Sequence, residues 1–582
     1  MRIFDADVSY SALQFLKGLS FENMEFESAN KSVEEVCGCK EFFPTEDSYY
    51  FFQNEIDNNN HLYFDEQRSE YGDYQTNERL TNAVTSLLLA KNVMPEVVIE
   101  PTCGKGNFIV SALISFPSIK HVIGIEIHEP YVWQCKFNIL DYFIKHPDAH
   151  KPIIQIFHYN VFDFDFVGLK RQIINKNLLI LGNPPWVTNS MLGGLNSTNL
   201  PQKSNFKKHK GIDAITGKGN FDIAEYIVLS LLSLFEKHDG YMSLLLKNSV
   251  IRNIIYEQRN NRFGISDIEE LNIDSKKEFN VSADASLLLC RFNAQPSLQC
   301  QVSDFYSGSC RERFGWIGNS FCSKIGEIDT ATIDGKCQFE WRQGIKHDCS
   351  RVMELERVGN KFCNKLHETF DIEDYLVYGL LKSSDLKSVI APKPTKYTII
   401  TQKSIGQDTS YIAQYPQTYD YLQKHIEFFR NRKSSVYKGK PDFSIFGIGD
   451  YSFKPYKVAI SGLYKTFHFT LVKSEDKAIM LDDTCYFVGF DELKNAVIVL
   501  TLLNSDVVTS FLKSITFIDA KRMITKDVLR RIDLLKTIKE IDIDKAVIKA
   551  NDMMKFCDCN AILTKEDFYN LLSQDKMQLE LF

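Results

Sequence analysis

The chain has 582 residues, 44% hydrophobic and 25% charged, with a formal net charge of −7. That length exceeds one domain and implies two or three. The composition is that of an ordinary globular chain, and no run of about 18 uncharged apolar residues is present, so no membrane span is expected.

Asp5 and Asp7 stand where a secretory signal would need basic and then apolar residues. The 14 cysteines lack regular spacing, which fits reduced thiols and a cytoplasmic location. Cys37-x-Cys39 and Cys557-x-Cys559 have neither the two-residue spacing nor the nearby histidine of structural zinc, so no metal is expected. The charge is uneven: residues 1–70 hold 15 Asp/Glu against 5 Lys/Arg, and the remainder is slightly basic, with 63 Lys/Arg against 60 Asp/Glu. An acidic total therefore does not exclude a nucleic-acid partner, which needs only a local basic surface.

In chain order, residues 1–70 read as an acidic, aromatic accessory segment, partly ordered, with an Asn-rich break at Asn58-Asn59-Asn60. It offers no Pro-Asp…(Asp/Glu)-x-Lys cluster of a nuclease. Gln75-Thr76-Asn77 then leads into a helix with Leu80, Val84, Leu87 and Leu88 on one face and Thr76 as its N-cap. A strand at Val97-Val98-Ile99 ends in Glu100-Pro101-Thr102-Cys103-Gly104-Lys105-Gly106-Asn107-Phe108, a glycine turn that lets the backbone approach a ligand. The turn lacks the P-loop pattern. A second strand, Val122 to Ile125, ends at Glu126, 26 positions after Glu100, where an acidic side chain is placed to bond a ribose diol. A third, Ile153 to Phe157, ends near Asn160-Val161-Phe162-Asp163.

The fourth strand is Leu178-Leu179-Ile180-Leu181, an apolar run that breaks at Gly182-Asn183-Pro184-Pro185-Trp186. Strand and helix alternate over about 110 residues, which predicts an α/β, doubly wound Rossmann-like sheet. Ligands sit at the carboxyl ends of such strands. Between Gly193 and Asn220 runs a polar stretch bearing Lys203, Lys207, Lys208, Lys210 and Lys218; it is either a solvated insertion or a loop that orders over phosphates. A helix from Phe221 to Phe235, a strand from Met242 to Leu246 and a late strand from Leu287 to Phe292 follow, the last preceded by Phe279. Past about residue 300 the chain turns to short strands, turns and scattered aromatics, with basic residues at Arg342, Lys382, Arg432, Lys433 and Lys454 set among aromatics and glycines. From Ile541 on the pattern is helical.

Asn-Pro-Pro-(Tyr/Phe/Trp) resembles the catalytic motif of methyltransferases that act on adenine N6, cytosine N4 or glutamine N5. With the elements before it in this order, the chain resembles the S-adenosylmethionine-dependent N6-adenine DNA methyltransferases whose cofactor half precedes the catalytic half and a C-terminal target-recognition domain. The resemblance covers roughly residues 71–292 motif by motif. It implies a methyltransferase domain over 71–298, with an antiparallel late strand, and an α+β target-recognition domain with a helical tail over 299–582.

Around S-adenosylmethionine it places Gln75 and Thr76, then Glu100, Pro101, Gly104, Gly106 and Phe108, then Glu126 and Ile127, with Asn183. Asn160 or Asp163 would meet the cofactor adenine. Asn183, Pro184, Pro185 and Trp186 would be catalytic. Phe279 would either pack on an extrahelical adenine opposite Trp186 or be a core residue. The expected partners are double-stranded DNA, through Lys203, Lys207, Lys208 and the basic residues past 300, and a separately encoded restriction endonuclease of a bacterial restriction-modification system. The other readings are transfer to cytosine N4, RNA adenine or protein glutamine, or a non-catalytic DNA-binding subunit. The N4 enzymes tend to carry Ser in place of Asn, glutamine enzymes are generally short, and a non-catalytic subunit would show a damaged motif.

Overall fold

Val97–Glu100 and Leu178–Gly182 are buried at every residue, as strands covered on both faces by helices must be. They are neighbours in the sheet of the first of two units, Met1–Phe321 and Cys322–Phe582, into which the computed structural model divides. The structure describes residues 2–21, 24–58, 75–187, 222–281, 284–326, 332–518 and 522–579.

In the first unit the helices are α1 (Tyr10–Phe21), α2 (Phe26–Cys37), α3 (Glu46–Asn58) and α4 (Glu78–Ala90). Strand and helix then alternate: β1 (Val97–Glu100), α5 (Asn107–Ser115), β2 (His121–Glu126), α6 (Glu129–Lys145), β3 (Ile153–His158), α7 (Phe166–Gln172) and β4 (Leu178–Gly182). After α8 (Ile223–Phe235) come β5 (Gly240–Lys247), α9 (Asn248–Asn261), β6 (Ser266–Asn272), α10 (Ser275–Phe279) and β7 (Ala285–Arg291). β8 (Gln299–Asp304), β9 (Cys310–Ile317) and β10 (Ser320–Cys322) follow, the last straddling the division between the units.

These strands form one sheet in the order β10-β9-β8-β6-β7-β5-β4-β1-β2-β3. Val98 lies beside Val122 on one side and Leu179 on the other, all three strands parallel. The chain runs outward through β1, β2 and β3, then returns to lay β4 on the far side of β1. That reversal opens a crevice at the carboxyl ends of β1 and β4. Strand β7 is antiparallel to both β5 and β6, with Ser243 opposite Leu289. The fold is α/β with a large mixed sheet and an antiparallel late strand.

Two boundaries differ from the sequence expectation. The unit runs to Phe321 rather than 298, because Gln299–Asp304 pairs in parallel with Ser266–Asn272 and carries the sheet onward. Residues up to 58 are built into the same core: Phe4 stacks on Trp133 of α6 at 4.0 Å, and Lys136 of α6 donates to the carbonyls of Glu41 at 2.9 Å and Phe42 at 2.7 Å. These N-terminal residues pack on α6 and, through Gly38 to Lys40, pair with Ile154 of β3 rather than forming a core of their own.

The second unit is α+β. One sheet runs Arg342–Gln343, Cys485–Phe490, Tyr456–Ser461, Thr470–Lys473; the other runs Thr369–Phe370, Lys361–Asn364, Glu354–Val358, Lys396–Ile399, Val377–Leu381, Met480–Leu481. Leu493–Leu503 packs on the first of these sheets and on Ile543–Phe556 of the helical tail. Trp341 is fully buried in the core. Among the described residues no single helix is long and apolar enough to cross a membrane; Leu493–Leu503 with Asp506–Ile515 reaches that length only as a bent pair, and both contribute to this unit's core.

Candidate active site

The carboxyl ends of β1, β2, β3 and β4 surround a cleft that opens to solvent. Glu100 ends β1 and is buried, with no hydrogen-bond partner for Oε2 among the described residues. Burial, with Glu126 nearby, pushes its carboxyl well above the ordinary carboxylate range. The following turn needs glycine twice. Gly104 and Gly106 sit at φ +50° and +77°, and a Cβ on Gly106 would lie 2.4 Å from Cys135 Sγ.

Glu126 ends β2 and locks that turn in place. Its Oε2 accepts from the Gly104 backbone N–H and its Oε1 from that of His128, both at 2.8 Å.

Gln75, Thr76, Pro101, Phe108, Ile127 and Asn160 line the cleft. Gly106 and Asp163 do not; Asp163 is exposed, so the structure brings Asn160 to the cleft and not Asp163. Asn160 Oδ1 accepts from the Phe162 backbone N–H at 3.1 Å, folding the loop so that Val161 and Phe162 also face inward. His128, Tyr131, Tyr159, Ile223 and Ile227 line it too and were not singled out from sequence. Tyr131 and Tyr159 follow strand ends within five residues, a usable signal; the rotation that turns Ile223 and Ile227 inward has none.

Asn183, Pro184 and Pro185 form the wall beside Glu100. Asn183 Nδ2 donates to Thr76 Oγ1 at 3.2 Å, which orients the amide. The N-cap of α4 is therefore Asn77, whose Oδ1 accepts from Leu80 N–H at 2.9 Å, and not Thr76. Trp186 is buried, donates from Nε1 to the Leu245 carbonyl at 3.3 Å, and meets Phe279 edge to face at 5.0 Å and 67°. Parallel rings need about 7 Å between centroids to admit a base, two van der Waals separations. In this structure Trp186 and Phe279 touch each other and do not bracket a slot.

No protein-family model matches the chain. The type II methyltransferase M.NspV of Nostoc sp. (strain ATCC 29411 / PCC 7524) is 38% identical over 470 residues, covering 80% of this chain and 96% of the relative. The chain belongs to the type II methyltransferase family. Solved structures with similar coordinates include the type IIL restriction-modification enzyme MmeI in complex with DNA, at TM-score 0.48 and 13% identity over 90% of this chain and 77% of that one. The type IIG restriction endonuclease BpuSI matches at TM-score 0.33 and 11% identity, over 97% and 75%.

S-adenosylmethionine is the methyl donor of this methyltransferase, and the cleft fits it. Glu100 supplies a buried carboxyl group whose Oε2 has no hydrogen-bond partner among the described residues, suited to the donor's ammonium. Glu126 supplies two oxygens fixed at the cleft for a ribose diol. When bound, the cofactor provides an activated methyl group on sulfonium.

Of the basic residues read as DNA contacts, Lys203, Lys207 and Lys208 lie outside the described residues. The others divide. Arg432 is half-buried, donates to the carbonyls of Asp442 at 2.7 Å, Ser444 at 2.6 Å and His347 at 3.3 Å, and stacks on Tyr437 at 3.6 Å. Lys382 pairs with buried Glu354 at 2.6 Å. Both serve the second unit's own structure. Arg342 pairs with Glu340 and covers Tyr451, Lys454 pairs with exposed Asp491, and Lys433 is exposed.

Proposed function

We propose that this methyltransferase transfers methyl from S-adenosylmethionine to N6 of adenine in duplex DNA, protecting host DNA beside a separately encoded restriction endonuclease. The observation that carries this reading is Asn183 at the end of β4, with its amide nitrogen committed to Thr76, at the wall of the cofactor cleft.

An exocyclic amine on adenine is a poor nucleophile, because its lone pair is delocalised into the ring. Acceptors aimed at its hydrogens, the Asn183 Oδ1 and the Pro184 carbonyl, draw the nitrogen toward tetrahedral geometry. They also stabilise the positive charge that grows as methyl arrives. Proline at 184 and 185 fixes φ and removes competing N–H donors, holding that carbonyl still. Adenine N6 inside a duplex cannot reach this wall, so the base must leave the stack, at a cost of a few kcal/mol.

Lys203, Lys207 and Lys208, which lie outside the described residues, are assigned to phosphates of the target strand. Sequence recognition is assigned to the second unit, with Lys433, Arg342 and Lys454 as the residues able to exchange solvent or a surface partner for phosphate.

Asn183→Ala should lower the rate of methyl transfer by on the order of 10²–10³, by analogy with loss of an oxyanion-hole donor, with cofactor affinity almost unchanged. Transfer of tritiated methyl to DNA at the wild-type rate would refute the assignment.

A further inference from the structure

Glu278 closes a ring of contacts around the Asn-Pro-Pro-Trp turn. Its side chain is only 1% exposed, yet it is met by donors from three places. Arg79 Nη2, in the first turn of α4, reaches Oε1 at 2.6 Å, and the Tyr306 hydroxyl, just beyond β8, reaches the same oxygen at 2.9 Å. Asn77 Nδ2 donates to Oε2 at 3.1 Å. Asn77 is the neighbour of Thr76, which accepts from Asn183. On the other side, the neighbour of Glu278 is Phe279, whose ring rests against Trp186. The path Asn183–Thr76–Asn77–Glu278–Phe279–Trp186 thus begins and ends on the same four-residue turn.

We propose that Glu278 is a positioning residue for methyl transfer, holding Asn183 and Trp186 in one geometry by fixing Asn77 on one side and Phe279 on the other. This rests on the reading of Asn183 as the residue that accepts from the target amine. A carboxylate is costly to bury, and an apolar side chain could pack α10 against α4. A charge with three donors instead fixes direction as well as distance. Burial alone would raise the carboxyl's pKa; Asn77, Tyr306 and Arg79 outweigh it and hold it below the ordinary glutamate range.

The test uses the full chain, PCR-amplified and hence unmethylated long duplex DNA, and tritiated S-adenosylmethionine in rapid-quench single turnovers. Rate constant and amplitude are read separately, and cofactor affinity is measured by calorimetry. Glu278→Gln should lower the rate constant roughly ten- to hundredfold, the scale of a misplaced reacting group, with amplitude and cofactor affinity close to wild type. Tyr306→Phe, which removes one donor and keeps the ring, should show a smaller fall in the same constant. Should Glu278→Ala fail to fold, these two variants decide. If both react at the wild-type rate constant and lose only amplitude or melting temperature, Glu278 merely stabilises the fold and the proposal is overturned. Asn183→Ala is run alongside. If it is slow while Glu278→Gln is not, only the positioning role fails; if Asn183→Ala is itself at wild-type rate, the reading of the turn fails and takes the proposal with it.

Discussion

At the residue scale, Glu126 carries the sharpest expectation about the cofactor. Its two oxygens hold the Gly104 and His128 amides, so it shapes the glycine turn, and we assign it the ribose. Glu126→Ala should weaken S-adenosylmethionine binding by roughly 1–3 kcal/mol, the cost of leaving buried polar groups unmade. Calorimetry showing unchanged affinity in a folded variant would move the ribose contact to another residue. Much of this site was legible because Glu100, Glu126 and Asn183 each follow an apolar strand, and strand ends can be read from hydrophobic runs. What was not legible were choices between near neighbours. Thr76 and Asn77 are both good caps, and only the fold shows that Asn77 caps α4 while the Thr76 hydroxyl meets Asn183. Asn160 and Asp163 differ by a turn whose direction is set by the Asn160 side chain bonding the Phe162 amide.

At the scale of elements, strand Tyr456–Ser461 of the second unit hides a lysine. Lys457 is fully buried, and its Nζ donates to the carbonyls of Lys454 at 2.8 Å and Ile479 at 2.9 Å, two acceptors for the two N–H bonds of a neutral amine. Burial lowers its pKa to about 7, against about 10.4 in an unfolded chain. Between those values the unfolded chain holds a proton that the fold does not, so this group's contribution to stability rises with pH from about 7 to about 10 and is least below 7. The stability advantage of Lys457→Met over wild type should therefore shrink with rising pH in that window, by up to about 1.4 kcal/mol per pH unit. Denaturant melts of both proteins at several pH values check this, and a difference that stays flat would show that Lys457 keeps its proton when folded. Sequence cannot reveal such a residue, since a lysine between Tyr456 and Val458 looks like the solvent face of an edge strand. For the same reason Arg432 and Lys382 read as DNA contacts when their charge is used within the unit.

At the scale of the whole chain, the division at Phe321 separates the cofactor sheet from the unit assigned to recognition. A fragment of residues 1–321 should stay folded and bind S-adenosylmethionine, yet lose sequence-specific DNA binding. One ending at Asn293 should be insoluble, because it strips β8 from β6 and exposes an inner sheet edge. Site-specific methylation by the 1–321 fragment would contradict the assignment of recognition to the second unit. The sequence placed this boundary early because β8 and β9 lack the long apolar runs of the central strands: β9 begins Cys310-Arg311-Glu312-Arg313, all exposed. The central claim is that the accepting atom is adenine N6, and it is tested most directly by the product. PCR-amplified DNA incubated with the full-length protein and S-adenosylmethionine, then digested to nucleosides and separated by mass spectrometry, should yield N6-methyladenine as the new nucleoside, formed far more slowly by Asn183→Ala. A new peak of N4-methylcytosine in its place, or no modified nucleoside from an enzyme that binds the cofactor, would contradict it.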